Sequence, residues 1–122
     1  MKKHSLPESF KCAYSGVLKT LKNERSFKIH VCAAIGVIGL SVLLRISLIE
    51  FICILITIAM VLAAELLNTA VEAVVDLFAG EDYYPLAKAA KDAAAGAVLI
   101  TTINAVAVGI GVFLKRLIDL VL

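Results

Sequence analysis

The run from Ala93 to Leu114 carries no formal charge, and as a helix it is long enough to cross the ~30 Å hydrocarbon core of a bilayer. Two more such segments lie upstream. Ile29 to Leu44 is also free of charge, and it extends through Ile49 if the Arg45 side chain snorkels to the interface. Glu50 then reads as a short turn. Phe51 opens a second apolar helix that passes Glu65 without stopping and runs through Phe78, where Ala79-Gly80-Glu81-Asp82 breaks it. Pro85 suits the first turn of the helix that follows. Hydrophobic residues make up 61% of the 122-residue chain, more than the core of so small a soluble domain absorbs. The expectation is one membrane-embedded domain over 1–122, with spans at about 29–49, 51–78 and 93–114.

Ahead of the first span, Phe10, Tyr14, Val17 and Leu21 recur at helical spacing opposite Lys11, Ser15, Lys19 and Lys22. That pattern predicts an amphipathic helix over about 7–24, lying in the membrane interface or against a partner subunit. No cleavable leader is expected, because the N-terminal segment is polar and amphipathic rather than a basic tip before a short apolar stretch. Placing the N-terminus in the cytoplasm puts Lys2, Lys3, Lys11, Lys19, Lys22, Arg25, Lys28, Lys88 and Lys91 inside and Arg45, Lys115 and Arg116 outside. This satisfies the positive-inside tendency, with the Lys115-Arg116 pair a mild conflict. The small residues from Ala89 to Ala97 let helices approach closely. Cys12, Cys32 and Cys53 lie far apart, the last two in apolar runs, and read as buried thiols rather than a disulfide or metal site.

The acids of the second span are not scattered. At about 100° per residue, Glu65, Asn68, Thr69, Glu72 and Asp76 share one narrow face, and Leu66, Leu67, Val71, Val74, Val75 and Leu77 take the others. An acid near the bilayer centre costs roughly 2–3 kcal/mol or more, and such groups are retained for ions, protons or substrate. Several carboxylates on one face also repel, so they need a cation to be ionised together. Mg²⁺ suits that role, since it takes one or two carboxylates with phosphate oxygens and leaves another carboxylate free as a base. Lys88 and Lys91 would meet phosphate charge from the other side. Two further readings stand beside this one. Glu65 and Glu72 could pair with Lys88, Lys91 or Arg25 purely to hold helices together, and an intramembrane acid chain also suits an ion pathway. Three spans without paired discontinuous helices offer little for alternating access. Neither a GxxxxGK(S/T) loop nor a GxGxxG turn is present, so a kinase built here must use carboxylates and lysines.

The run Glu65-Leu66-Leu67-Asn68-Thr69-Ala70-Val71-Glu72-Ala73-Val74-Val75-Asp76 resembles the signature of the prokaryotic diacylglycerol kinase family. Asn23-Glu24-Arg25-Ser26-Phe27-Lys28 and Ala90-Lys91-Asp92 fall where that family has its other functional segments, and the likeness covers essentially the whole chain. The resemblance implies an all-α integral membrane enzyme with three transmembrane helices and an N-terminal amphipathic interfacial helix, assembled as a homotrimer with active sites shared between subunits. It implies transfer of the γ-phosphate of Mg-ATP to a lipid hydroxyl, with Glu65 as general base and Glu24 and Glu72 holding Mg²⁺ within the ATP site. Asn68 would support the site, and Lys91 and Asp92 would contact ATP. Asp76, Asp82, Tyr83 and Tyr84 are further nucleotide candidates, and Phe27 and Lys28 lie toward the lipid.

Within the family, Arg25-Ser26-Phe27-Lys28-Ile29-His30 and the run from Pro85 to Val98 resemble the Gram-positive branch. Members of that branch are similar to undecaprenol kinases, which phosphorylate the polyprenol carrier of cell-wall synthesis. His30 marks the branch, although a lone His at the mouth of a span reads as a packing or interfacial residue. The expectation is an undecaprenol kinase of the bacterial cytoplasmic membrane, with its N-terminus and active site on the cytoplasmic side. Its partners would be ATP, a lipid alcohol, the bilayer and further copies of itself, and no nucleic acid. Diacylglycerol kinase producing phosphatidic acid is the second reading, and a small ion-coupled or structural membrane protein is the reading of a different class.

Overall fold

A computed structural model describes residues 3–122; Lys2, counted above with the basic residues, lies outside the described residues. The chain forms α1 (Leu6–Asn23), α2 (Arg25–Leu43), α3 (Leu48–Ala79), α4 (Pro85–Gly109) and α5 (Lys115–Val121), with a π-helical stretch at Ile110–Leu114 joining the last two into one rod. Three of these segments, Arg25–Leu43, Leu48–Ala79 and Pro85–Val121, are long and apolar enough to cross a membrane. The protein is a multi-pass membrane protein. Helix α3 is the shared element, against which α1, α2 and α4 all pack, and its longest partner is the antiparallel α4.

Local chemistry accounts for the ends. Ser5 and Glu8 form a capping box before α1, and Pro7 occupies its first turn. A single extended residue, Glu24 (φ −105°, ψ 115°), separates α1 from α2. The first span does not continue to Ile49. Helix α2 stops at Leu43, Arg45 takes a left-handed φ of 50°, and the chain reverses before Ser47. Nor is Glu50 a turn residue. The Glu50 N–H donates to Ser47 Oγ at 3.2 Å and the Ser47 N–H donates to Glu50 Oε1 at 3.1 Å, a reciprocal cap that starts α3 at Leu48. An acid just after an apolar run reads equally as a turn marker or as the third residue of a capping box, and here Ser47 decides it.

The same carboxylate accepts from Arg116 Nη2 at 2.6 Å. The pair joins the start of α3 to α5, so one of the two basic residues that strain the positive-inside pattern has a partner within the chain. The side chains are 34% and 24% exposed, so solvent screens the pair and its contribution is modest. Just inside it, Ile54, Val112 and Phe113 form a small core backed by Val37, Leu44, Ile46, Ile58 and Val108. The widened π-helical turn lets the consecutive residues Val112 and Phe113 both bury their side chains.

At the other end, Gly80 reverses the chain between α3 and α4 with φ 58° and ψ −124°. Its N–H donates to Asp76 O at 2.9 Å. A Cβ there would meet nothing within 4 Å, so only the backbone conformation demands glycine. Gly80→Ala is expected to lower stability by about 1–3 kcal/mol, read as an earlier unfolding midpoint in detergent. An unchanged midpoint would show that the turn has an alternative path open to L-residues.

Two properties of this arrangement matter below. The 32 residues of α3 extend to about 48 Å, well beyond the ~30 Å hydrocarbon layer, so part of the helix stands clear of the bilayer. The helices also leave much of their apolar surface uncovered, and no residue of α4 is buried. For that reason the expectation of buried thiols fails. Cys12, Cys32 and Cys53 are all free and all exposed, because α1 and α2 turn outer faces away from the chain and the neighbouring helices do not encircle α3, on which Cys53 lies.

Candidate active site

Along α3 the acid stripe climbs out of the membrane. With the hydrocarbon layer taken to begin at Leu48, Glu65 stands at about 26 Å and Asp76 at about 42 Å, which puts Glu65 near the far edge of a ~30 Å layer and Asp76 beyond it. Exposure follows the same gradient. Glu65 is 5% exposed, Asn68 and Glu72 are half-buried, and Asp76 is exposed.

Each acid has its own partner. His30 Nε2 on α2 lies 3.2 Å from Glu65 Oε1. One helical turn on, Asn68 Nδ2 donates to Glu72 Oε1 at 3.2 Å. Lys91 Nζ of α4 donates to Asp76 Oδ1 at 2.9 Å, and Lys88 pairs with Asp92 on its own helix. The Lys91–Asp76 pair is 41% and 64% exposed, a degree of solvation at which an ion pair is readily exchanged for another anion.

Asp76, Asp82, Tyr83, Tyr84, Lys91 and Asp92, all nucleotide candidates from the sequence, line one cleft between the ends of α3 and α4, together with Lys88 and Gly80. The Gly80 turn brings them there, and Tyr84 is braced against Phe78 with ring centroids 5.6 Å apart. Glu24 and Glu72 are not among the lining residues. Phe27 is buried at 2% exposure and packs inside the chain, whereas Lys28 beside it is exposed.

Below the stripe the character reverses. His30, Ala33, Ala34 and Val37 of α2 face Thr57, Ile58, Val61 and Leu62 of α3 across an apolar groove, with Ala105 of α4 at its side. The one hydroxyl in this wall is satisfied internally, as Thr57 Oγ1 donates to Cys53 O at 2.7 Å. Glu65 is therefore positioned between an apolar groove and a charged cleft.

The donor set suits Mg²⁺. Among the described residues no three His, Cys, Asp or Glu side chains gather as a metal site. Magnesium bound with phosphate asks for less, usually one or two carboxylates with the remaining positions filled by water and phosphate oxygen. Beside the Glu72 carboxylate, Asn68 Oδ1 is buried without a hydrogen-bond partner, an oxygen donor of the kind a hard cation accepts.

The contact of His30 with Glu65 is absent from the expectations drawn from sequence. It becomes legible only once the turn is placed between Leu43 and Leu48. Counting back from Leu44 on α2 and forward from Ser47 on α3 places His30 at about 21 Å and Glu65 at about 27 Å, roughly one helical turn apart in height.

Comparison with known proteins identifies the family. The sequence profile described as prokaryotic diacylglycerol kinase matches residues 11–113. A Synechocystis protein named diacylglycerol kinase is 44% identical over 112 residues, which are 92% of this chain and 64% of that protein. A Bacillus subtilis protein named undecaprenol kinase is 42% identical over 110 residues, 90% of this chain and 89% of that protein. With the profile covering most of its length, the chain belongs to the prokaryotic diacylglycerol kinase family, a family of lipid kinases.

Proposed function

We propose that the protein is an undecaprenol kinase of the bacterial cytoplasmic membrane, transferring the γ-phosphate of Mg-ATP to the hydroxyl of undecaprenol. The observation that carries this reading is the position of Glu65 on α3, above an apolar groove whose His30 it touches and below the charged cleft at the helix end. A lipid alcohol enters from the bilayer and a nucleotide from water, and their reacting groups meet at one carboxylate. Glu65 takes the hydroxyl proton, which requires an approach of about 3 Å or one bridging water. Lys91 and Lys88 face the phosphates, and Tyr83, Tyr84, Asp82 and Asp92 line the remainder of the nucleotide cleft. Glu72 and Glu24 hold Mg²⁺, with Asn68 in support; the ion supplies neutralisation of charge on the phosphoryl oxygens, which this reaction needs more than it needs covalent catalysis.

Undecaprenol is favoured as substrate by the Bacillus subtilis relative, which matches over nearly its full length. The Synechocystis relative supports diacylglycerol as the second reading. Family membership leaves the ion-coupled and purely structural readings without support. The reading includes a homotrimer with its active sites on the cytoplasmic side and α1 in the interface, its apolar face of Phe10, Tyr14, Val17 and Leu18 uncovered in the single chain. Assembly is favoured by the bare flank of α4 and its row of alanines.

The test is incubation of purified protein with labelled ATP, Mg²⁺ and mixed micelles containing either undecaprenol or diacylglycerol. Label is expected in undecaprenyl phosphate. Label in phosphatidic acid alone would transfer the assignment to the second reading, and no labelled lipid in either case would end both.

A further inference from the structure

Glu65 is the most enclosed acid of the stripe, with a side chain 7% exposed, and its one salt-bridge partner among the described residues is His30. A polar side chain so withdrawn from water needs a hydrogen-bonding partner. The lysines are engaged elsewhere, Lys91 with Asp76 and Lys88 with Asp92. Asn68, one turn away, is committed to Glu72. His30 comes from a different helix, so it ties the carboxylate to α2 and removes rotamer freedom that α3 alone would leave. His30 also forms the end of the apolar groove nearest Glu65, continuing the α2 wall of Ala33, Ala34 and Val37. One imidazole therefore touches both the carboxylate and the space beneath it.

We infer that His30 is a positioning residue for lipid phosphorylation: its Nε2, 3.2 Å from Glu65 Oε1, is close enough to donate to that oxygen in the reacting complex, so that the other carboxylate oxygen is presented to the lipid hydroxyl. The inference rests on the reading of Glu65 as the base. In the step, the hydroxyl proton passes to that free oxygen while the lipid oxygen bonds to the γ-phosphorus of ATP. The bond from that phosphorus to the β,γ-bridging oxygen breaks, and ADP leaves with the electron pair. His30 keeps its proton throughout and acts only through Glu65. Because positioned reacting groups lose rate steeply with small displacements, removing the donor lowers turnover without altering nucleotide binding.

The experiment compares His30→Ala, His30→Leu, His30→Gln and Glu65→Gln in the full-length protein, assayed in micelles with whichever lipid alcohol the wild type phosphorylates. His30→Ala and His30→Leu are expected to lower kcat roughly 10- to 100-fold with KM for ATP within about twofold of wild type. His30→Gln, whose amide N–H reaches the position of Nε2, is expected to recover most of that loss. Leu fills the space but donates nothing, so equal rates for the Leu and Gln variants would overturn positioning in favour of packing. Wild-type kcat in His30→Ala would overturn it outright, as would a loss confined to KM for ATP. If Glu65→Gln retains turnover, the base assignment fails instead. If Glu65→Gln is inactive and the His30 variants are unaffected, only the positioning role falls.

Discussion

Glu65→Gln lowers lipid phosphorylation by about 10²–10⁴-fold, the range that general-base catalysis supplies, which corresponds to about 3–5 kcal/mol of transition-state stabilisation. The substitution keeps the shape of the side chain and an oxygen able to accept from His30 Nε2, now 3.2 Å away, and it removes only the capacity to take a proton. Detergent-solubilised protein should therefore elute and unfold as the wild type does, while transfer of label to lipid is lost. The contrast between intact assembly and absent chemistry is the informative result. Glu65 is 5% exposed, so if its purpose were to hold α2 against α3, neutralising it would loosen the helices first. A variant that failed to assemble would return support to that structural reading.

Glu72→Ala is expected to reduce turnover by about 10²–10³-fold, the loss typical when one electrostatic contact to a reacting group is removed, and to raise the Mg²⁺ concentration needed for half-maximal rate. The carboxylate is half-buried and accepts from Asn68. Its loss leaves the amide, whose own oxygen is already without a partner, with nothing to organise it. A Mg²⁺ titration at saturating ATP separates this variant from Glu65→Gln, which should leave the half-saturating concentration in place. Glu24→Ala should share the Glu72 signature, since the corner residue between α1 and α2 is the other carboxylate assigned to the ion. Unchanged Mg²⁺ dependence in both variants would remove them from the metal site.

Periodicity carried most of the fold, because a bilayer leaves a chain few options. The break after Phe78, the start at Pro85 and the common face of Glu65 to Asp76 follow from rules that concern neighbouring residues only. What escaped was one local choice between competing end signals and several features set by pairs distant in sequence. Helix α2 ends at Leu43, short of the expected Ile49, because the left-handed Arg45 and the Ser47–Glu50 cap outweigh continued hydrophobicity. The partner of Glu50, Arg116, lies 66 positions away and has no local signature. The same holds for His30, whose meeting with Glu65 depends on the register of two antiparallel helices. The cysteines show the opposite error. Apolar surroundings in sequence read as burial, yet Cys32 and Cys53 are exposed, since in a membrane protein an apolar neighbourhood can equally be the outer surface.

The excess length of α3 has a mechanical consequence. The first turn of the helix carries the charged pair of Glu50 and Arg116, which favours the membrane surface over the hydrocarbon, so the height of Glu65 is measured upward from that surface, like the mark on a dipstick. In a thinner membrane that mark stands in the headgroups, and in a thicker one it sinks among acyl chains. Tilting and local thinning compensate at fractions of a kcal/mol per Å. On the proposed reading of Glu65 as the base, the chain length of the surrounding lipids would set where that carboxylate meets its alcohol, a form of control exerted by the solvent with no binding site of its own.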